Sequence, residues 1–390
     1  MVKGHETEQP SLTLQGFTPW RLTLALLAVV MIGVSLYLTD HYYEVQFPKT
    51  LVSGSMCDVS SFWNCDTAAF SSLSSVMLVP TSVFGLIVGF IFFIGALFSR
   101  KELETSNYML AIINALGCLG LFTYSLLVLD GLCPGCTIYY LCSVLICMLF
   151  VFKSVWHLQI FPKVWGIYGA LALAVSLGFH FYTKSEDAKF ATTTEKILEE
   201  FRGSADYEVF GVRSPYRIAS ATEKFEDAPL RVSLFSDFQC PVCKVFAEEI
   251  LPKLVRHYKG KINFQYLFYP MDSSCNHNMS QPMHPLACEA AYVAACLDAK
   301  FLEVHDKIYE KQSELSFPML QRMANEHQVS KCYNDSKTKQ IVENMILDGD
   351  KLGIQATPTM IVNGKKLEGL LPLKFLILLF DDALTQAKAS

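Results

Sequence analysis

Residues 235–246 read FSDFQCPVCKVF, an apolar strand pattern that leads through Cys240 and Cys243 into a helical pattern. The unpaired N–H groups and the dipole of a helix N-terminus stabilise a thiolate, which favours a low pKa for Cys240. Pro241 suits the first helical turn because no N–H bond is lost there, and Cys243 can resolve a mixed disulfide formed at Cys240. The alternatives are a structural disulfide or half of a zinc site. A redox-active dithiol is favoured, since this half of the chain has no second Cys-x-x-Cys.

The dithiol lies in a predicted α/β domain that extends from residue 205 to residue 390. Its predicted elements are strands at 229–238 and 261–270, helical stretches at 242–258, 287–312 and 318–352, a hairpin that turns at Asn363-Gly364 and a last helix from Pro372. We expect a cis bond between Thr357 and Pro358, because X-Pro bonds adopt this form at low cost. The backbone there is predicted to contact an extended substrate beside the dithiol.

The first half of the chain is predicted to cross a membrane. Of the 390 residues, 52% are hydrophobic and 18% are charged, and the shortage of charge falls before residue 185. A crossing needs about 20 apolar residues. The predicted spans are Trp20–Thr39, Val79–Phe98, Tyr108–Leu129, Ile138–Phe152 with its flanks, and Val164–Tyr182. Residues 184–204 are polar and predict a tether with one short amphipathic turn.

The distribution of Lys and Arg predicts which ends of the spans face the cytoplasm. With the N-terminus inside, one face of the membrane collects Lys3, Arg21, Arg100, Lys101, Lys153 and Lys163. The positive-inside rule makes that face cytoplasmic, so every paired cysteine and the chain after residue 183 lie outside. A net charge of -5 and the lack of a long Lys/Arg cluster give no reason to expect a nucleic-acid partner.

A second Cys-x-x-Cys, Cys133 and Cys136 in LCPGCTIYY, lies at the outer end of the fourth span. A structural disulfide between helix residues three apart adds little constraint, so a redox-active pair is favoured. In the preceding outer loop, Cys57 and Cys65 either close a structural loop or take part in the redox chemistry. The cysteines predicted to pack as small core residues within the spans are Cys118, Cys142 and Cys147.

The remaining cysteines lie in the predicted helical insertion and are Cys275, Cys288, Cys296 and Cys332. The second and third are eight residues apart on a predicted helix, which is about 12 Å and too far for a disulfide. Two pairings remain, 275–288 with 296–332 or 275–296 with 288–332, and we favour the first. An alternative zinc site would use Cys275, His277, His284 and Cys288. Outside the membrane disulfides are favoured, and no metal is expected.

Two families resemble parts of this chain. The loop CDVSSFWNCDTAAFS ending at Ser71, TSVFG at 81–85 and LCPGCTIYY with Tyr140 together resemble the vitamin K epoxide reductase family, over about residues 18–155. FSDFQCPVCK, the helical insertion and TPTMIVNGK resemble the DsbA-type branch of the thioredoxin fold, over residues 205–390.

The resemblance implies a bacterial fusion of the two families. The implied fold is a membrane α-helical protein, with a four-helix redox bundle and a fifth connecting span, followed by an α/β thioredoxin-like domain with a helical insertion. The implied division is a cytoplasmic tail (1–18), a reductase-like transmembrane domain (19–160), the fifth span and linker (161–204) and the thioredoxin-like domain (205–390).

Two positions depart from the resembled families. Val242 stands where several DsbA-type proteins carry a histidine, so we expect the thiolate of Cys240 to be less stabilised. Thr81 stands where animal reductases carry an amide that holds the quinone, so we expect it to fill that role incompletely.

The function that the resemblance implies is a quinone-dependent thiol oxidase of the bacterial inner membrane, which makes disulfides in reduced exported proteins. Electrons would pass along three cysteine pairs to a lipid quinone, either ubiquinone or menaquinone: Cys240/Cys243, then Cys57/Cys65, then Cys133/Cys136. Within the second pair, Cys57 is the expected point of attack. Thr357 and Pro358 are the expected contacts of the protein substrate.

Ser71 and Tyr140 are the expected polar contacts of the quinone. The alternatives are a helix cap for Ser71 and an interfacial anchor for Tyr140.

Rival functions make different demands on the sequence. A reductase or isomerase fed from the cytoplasm needs a dithiol that faces inward, and none lies at 99–107 or 153–163. A receptor or chaperone with structural cysteines predicts an unreactive Cys240. Epoxide reduction is an activity that the reductase resemblance leaves open.

Overall fold

A computed structural model of the chain describes residues 18–49, 62–153, 159–207 and 213–389. Cys57, the expected point of attack in the loop pair, lies outside these ranges. The described residues form two compact units, which divide after Ala191.

The first unit is helical, and its helices other than the short α2 correspond to the predicted spans. They are α1 (Pro19–Gln46), the short α2 (Cys65–Ala69), α3 (Thr81–Leu97), α4 (Lys101–Leu127), α5 (Pro134–Lys153) and α6 (Pro162–Gly203). Within the described residues α1, α4, α5 and α6 are long and apolar enough to cross a membrane, whereas α3 has 17 residues. A length of 17 is at the short end of the range for spanning helices, about 17–25.

The second predicted span is shortened by a small hairpin. Strand β1 (Ser75–Val76) pairs antiparallel with β2 (Val79–Pro80). The turn between them uses Met77 and Leu78, both with positive φ. Helix α3 therefore begins at Thr81, after Pro80.

The helices of the first unit alternate in direction. At one end of the bundle, the guanidinium of Arg21 at the start of α1 lies 3.5 Å from the carboxylate of Glu104 at the start of α4. At the other end, the hydroxyls of Thr39 and Ser82 lie 2.8 Å apart and join the last turns of α1 to the first turn of α3. Helices α1 and α3 are thus antiparallel, and α4 runs in the same direction as α1, as expected for a bundle.

The loops that carry the cysteines meet at this second end. The side chain of Gln46 at the end of α1 donates to the carbonyl of Ala69 in α2 at 2.7 Å. The N–H of Asn64 donates to the carbonyl of Leu132 at 2.9 Å, and the N–H of Leu132 donates to Phe62 at 2.7 Å. We call this end of the bundle the cysteine end.

The prediction of a tether at residues 184–204 is wrong, because α6 continues without a break from Pro162 to Gly203. The sequence between 179 and 202 contains neither Gly nor Pro and includes four Glu and three Lys, which favour helix. An ion pair one turn apart, 2.8 Å between Lys189 and Glu186, adds local support.

The second unit is built on a five-stranded sheet in the order β3-β5-β4-β6-β7. The strands are β3 (Arg217–Ser220), β4 (Leu230–Ser236), β5 (Ile262–Phe268), β6 (Thr359–Val362) and β7 (Lys365–Glu368). The two predicted strands are confirmed as β4 and β5, which pair in parallel at the centre. Both strands are buried on both faces, as is usual for central parallel strands, and polar side chains within them pair with each other: the amide of Gln265 donates to the hydroxyl of Ser233 at 2.8 Å.

The predicted hairpin is confirmed as β6 and β7, which pair antiparallel. Asn363 and Gly364 turn between them with φ of 47° and 92°, as a tight two-residue hairpin turn requires. Strand β3 was not predicted, since RIAS is short and only half-buried at the sheet edge.

The predicted helical stretches are present but more divided than expected. They comprise α7 (Pro241–Val245), a π-helical turn (Phe246–Ile250), α8 (Leu251–His257), α9 (Ala287–Ala295), α10 (Phe301–Glu310), α11 (Phe317–Glu326), α12 (Ser330–Asn334), α13 (Ser336–Lys351) and α14 (Leu373–Ala389). Helices α9 and α10 are separated by a 3-10 turn at Asp298–Lys300.

Two disulfides cross-link the helical insertion. Cys275 bonds to Cys288 and Cys296 bonds to Cys332, so the favoured pairing is confirmed. The alternative zinc site is excluded, because the first disulfide consumes both sulfurs that it would need.

Candidate functional site

The soluble dithiol lies at the end of β4, as predicted. Cys240 occupies the N-cap of α7 and Pro241 its first turn, while Cys243 is completely buried. Both cysteines are free thiols. The thiol of Cys240 points at the carbonyl of Thr357, 3.4 Å away, and the Thr357-Pro358 bond is cis, as predicted.

The two sulfurs of this dithiol have opposite acidities. A hydrogen bond from the Cys243 side chain, aided by N–H groups of α7, lowers the pKa of Cys240 to about 6. Burial, together with the neighbouring Cys240, raises the pKa of Cys243 well above its usual value. Cys240 is therefore the nucleophile at neutral pH, and this low pKa arises without a side-chain donor from Val242.

A buried carboxylate organises the turn that precedes Cys240. Asp237 accepts hydrogen bonds from the N–H of Gln239 at 2.6 Å, from the N–H of Met271 at 2.7 Å and from Nδ1 of His284 at 2.8 Å. The hydrogen bond to Asp237 raises the pKa of His284, which favours the imidazolium. Sequence reasoning placed His284 only in the zinc alternative and missed its partner 47 residues away.

The membrane dithiol adjoins the loop cysteine at the cysteine end. Cys133 immediately precedes α5, and the N–H of Cys136 donates to its sulfur at 3.1 Å. The sulfur of Cys133 lies 3.1 Å from that of Cys65, and both residues are buried. Cys133 and Cys136 are free thiols, whereas Cys65 is disulfide-bonded. A thiol is thus held against a disulfide sulfur, which is the arrangement that exchange requires.

A cavity of about 360 Å³ opens beside these sulfurs within the first unit. Its mostly apolar wall includes Cys65, Cys133, Cys136 and both expected quinone contacts, Ser71 and Tyr140. This volume is in the range of small-molecule sites, about 300–1,000 Å³, and such sites combine apolar walls with a few polar groups.

The polar residues predicted for this cavity differ in whether their side chains already form hydrogen bonds within the protein. The hydroxyl of Ser71 donates to the carbonyl of Ala68 at 2.7 Å, which leaves its oxygen able to accept. The ring of Tyr140 packs edge-on against Phe122. The hydroxyl of Thr81 donates to the carbonyl of Leu73 at 2.5 Å and so anchors the hairpin before α3.

Among the polar residues of the cavity that sequence reasoning missed are Asn114 and Tyr139. The amide of Asn114 donates to the hydroxyl of Ser143 at 2.7 Å, and the hydroxyl of Tyr139 lies 3.3 Å from the amide oxygen. The amide of Asn114 has two N–H groups, so one is left to donate in addition to the one that bonds to Ser143. The available signal was an amide within the apolar run AIINALG, because polar groups are costly in a span.

The three cysteines predicted as core residues lie inside the spans. Cys118 and Cys142 are buried and Cys147 is half-buried. Cys118 also forms part of the cavity wall.

Known families match both units. Residues 22–151 match the vitamin K epoxide reductase family, and residues 225–377 match a thioredoxin family. The chain is a fusion of these two families. With its membrane-length helices and two free dithiols, the fusion is an integral membrane thiol–disulfide oxidoreductase.

Individual relatives of the fusion come from bacteria. Probable disulfide bond formation protein D of Bacillus anthracis is 28% identical over 153 residues, 36% of this chain and 67% of that protein. Disulfide bond formation protein D of Bacillus subtilis is 27% identical over 154 residues, 36% of this chain and 66% of that protein. The oxidised structure of BdbD from Bacillus subtilis has a TM-score of 0.35 at 24% identity and covers 41% of this chain and 90% of that chain.

Proposed function

We propose that the fusion oxidises cysteine pairs of exported proteins and passes the electrons to a lipid quinone. The observation that carries this proposal is the 3.1 Å contact between the sulfurs of Cys65 and Cys133 at the wall of the cavity. A loop disulfide, a membrane dithiol and a space for a small molecule adjoin one another there. Such a sequence transfers two electrons by successive disulfide exchange.

The first exchange takes place at the soluble dithiol. A substrate thiolate attacks the oxidised Cys240–Cys243 pair at Cys240, and Cys243 leaves as a thiol. The second substrate thiolate then displaces Cys240, so the substrate gains a disulfide and the protein pair gains two electrons. The low pKa of Cys240 supports this role, because a stable thiolate is a good leaving group. Thr357 and Pro358 are the proposed backbone contacts of the substrate.

The second exchange reduces the loop pair, for which we propose Cys57 as the point of attack. The third exchange carries the electrons into the membrane. Cys65 attacks Cys133 of an oxidised Cys133–Cys136 pair and releases Cys136 as a thiol, which faces the cavity. Attack of Cys57 on Cys65 then re-forms the loop disulfide and releases Cys133, so that both Cys133 and Cys136 are reduced.

The cavity residues fit a quinone in both size and chemistry. A bound quinone supplies an acceptor of two electrons and two protons, whether ubiquinone or menaquinone. Ser71, Tyr140, Asn114 and Tyr139 would hold its carbonyl oxygens, because their hydroxyl and amide groups line an otherwise apolar space. The adjacent Cys133 and Cys136 provide the reducing dithiol.

The proposed location is a bacterial inner membrane with the cysteine end on the extracytoplasmic side. Arg21, Arg100 and Lys101 lie at or beside the helix ends opposite the cysteine end, and the positive-inside rule makes that side cytoplasmic. Reduced exported proteins would then meet the soluble dithiol outside the cytoplasm.

The test is anaerobic quinone reduction by the purified full-length protein supplied with a reduced, unfolded secretory protein. We expect one quinone consumed for each pair of substrate thiols lost. Cys133→Ser and Cys240→Ser should each abolish the coupled reaction, whereas Cys147→Ser should not. Substrate oxidation by wild type without quinone consumption would contradict the membrane half of the proposal.

A further inference from the structure

A histidine and a carboxylate are buried together beside the membrane exchange centre. His41, near the end of α1, and Asp66, in α2, are 3% and 4% exposed, and Nε2 of His41 lies 3.0 Å from Oδ1 of Asp66. Asp66 directly follows Cys65, and His41 lines the same cavity as Cys65, Cys133 and Cys136. His41 therefore contacts its carboxylate partner and also lines the space in which the thiols react.

The hydrogen bonding of His41 differs from that of a structural core histidine. Buried polar groups are normally satisfied by well-aligned hydrogen bonds. Within the part of the chain that the structure describes, neither ring nitrogen of His41 has such a bond, although Nε2 is close to Asp66. The ring is instead held by parallel stacking on Tyr37, with centroids 6.2 Å apart. The ring of His41 is thus held in place, while its nitrogens remain able to exchange protons because neither is fixed in a well-aligned hydrogen bond.

The cavity wall contains few groups that titrate near neutral pH. Among its described residues none is Lys, Arg, Asp or Glu, and His41 is the histidine. Asp66 of α2 lies against the His41 ring, and the other titratable groups that share the cavity wall with it are Cys65, Cys118, Tyr124, Cys133, Cys136, Tyr139 and Tyr140. From α1 itself come Tyr37 and Tyr42. An imidazole can both accept and donate a proton under ordinary conditions, so His41 is the residue of this wall suited to carry protons.

We propose that His41, with Asp66 as its charge partner, is the acid–base residue of the membrane thiol exchange. In the step that the structure presents, Cys133 gives its proton to His41, and its thiolate attacks Cys65. A Cys133–Cys65 bond forms, the existing disulfide of Cys65 breaks, and the released sulfur becomes a thiol by taking up a proton. The sulfur of Cys133 is oxidised and the released sulfur is reduced, so the electrons balance without another reactant.

The same acid–base role serves the proposed function on which this inference rests. When Cys65 attacks an oxidised Cys133–Cys136 pair, His41 accepts the proton of Cys65 and returns it to the departing Cys136. Asp66 stabilises the imidazolium between these two transfers, as a buried carboxylate does for a neighbouring cation. The exchange then needs no water in the cavity.

The inference is tested without quinone, in the full-length protein in detergent carrying Cys136→Ser. This background blocks resolution, so the Cys65–Cys133 mixed disulfide accumulates after a jump from low pH and is measured by mass spectrometry of acid-quenched samples. With His41 present we expect a rate that rises with pH through an inflection. His41→Gln should slow the reaction about 10²-fold at pH 7, the usual contribution of acid–base catalysis, and should remove the inflection.

Two further variants separate acid–base chemistry from structure. Asp66→Asn should move the inflection to lower pH, because the imidazolium loses its counter-charge. His180→Gln is the matched control, since His180 lies on α6 and contacts the carbonyl of Met77 at 2.8 Å, away from the cavity wall. It should leave both the rate and the inflection unchanged. Unfolding midpoints verify that each variant is folded, and Asp66→Asn decides the matter if His41→Gln does not fold.

The inference is overturned if His41→Gln retains the inflection, or slows exchange equally at every pH, or if Asp66→Asn leaves the inflection in place. Its failure is distinct from that of the proposed function. Wild type that exchanges with a His41-dependent inflection but reduces no quinone contradicts only the quinone step. Quinone reduction in step with thiol loss, without any His41 dependence of the exchange, contradicts only the role of His41.

Discussion

Nδ1 of His284 lies 2.8 Å from Oδ2 of Asp237, a buried carboxylate that also fixes the turn before Cys240. The pair joins the helical insertion to the catalytic end of β4. Because this hydrogen bond raises the pKa of His284, the pair ties the stability of the soluble unit to pH.

We expect His284→Gln to destabilise the protein more at low pH than at high pH. A histidine whose pKa is raised by folding contributes stability fully below its unfolded pKa, about 6.5, and loses it as pH rises through the folded value. Thermal unfolding is monitored by hydrogen exchange of the β4 and β5 amides. The midpoints of wild type and variant should therefore differ most near pH 5. His277→Gln, an exposed neighbour, is the control, and a pH-independent difference would contradict the prediction.

The acidity of Cys240 is expected to depend on Cys243. Peptide-resolved alkylation of the reduced protein should show Cys240 reacting with a midpoint at about pH 6. In Cys243→Ala the midpoint should move toward the usual cysteine value, because the side-chain hydrogen bond that lowers the pKa most is lost. Cys147→Ala should leave the midpoint unchanged. An unchanged midpoint in Cys243→Ala would assign the low pKa to the helix N-terminus alone.

These sites show what the sequence predicts and what it does not. Strands β4 and β5 and the hairpin at Asn363 were predictable, since local apolar runs and turn residues determine them. The length of a helix excluded one of the three possible disulfide pairings but did not decide between the other two. By contrast, the pairs Asp237–His284 and His41–Asp66 join residues 47 and 25 positions apart in the sequence. No local pattern indicates which distant polar side chains will be buried together.

Local propensity also explains the two misjudged segments. The polar composition of the sequence before Gly203 predicts a tether with one short amphipathic turn, yet good helix formers without a breaker continue α6 through it. Strand β3 shows the reverse case. Its four residues are stabilised by pairing with β5, which the sequence of β3 alone does not reveal.

Close helix packing in the membrane unit gives a prediction for Gly85. A Cβ at this position of α3 would lie 2.9 Å from the ring of Tyr139 and 3.0 Å from the hydroxyl of Ser35. Gly85→Ala should therefore destabilise the bundle by about 1–3 kcal/mol, the usual cost of overpacking. Gly120→Ala on α4 is the control, because no described atom lies within 4 Å of the point that a Cβ would occupy there. It should be neutral or slightly stabilising in thermal unfolding, and equal midpoints for both variants would contradict the packing argument.

The amide of Asn114 gives the last prediction, which concerns the quinone step. Asn114→Leu keeps the side-chain volume but removes the N–H and oxygen that face Ser143 and Tyr139. Loss of one hydrogen bond to a quinone carbonyl costs about 0.5–1.5 kcal/mol, so we expect the KM for quinone to rise about two- to tenfold. The alkylation of Cys240 should not change, because that thiol lies in the other unit.

Asn107→Leu is the matched control for this variant. Asn107 is also a buried amide of α4, but it accepts a hydrogen bond from Tyr168 at 2.6 Å and is not part of the described cavity wall. Its loss should lower the unfolding midpoint without changing the KM for quinone. If both variants lower stability and neither changes KM, Asn114 is a structural residue of the bundle, and Ser71, Tyr139 and Tyr140 remain as the polar contacts to test. A KM effect confined to Asn114→Leu would instead indicate that Asn114 on α4 supplies the quinone-holding amide that animal reductases carry at the position of Thr81.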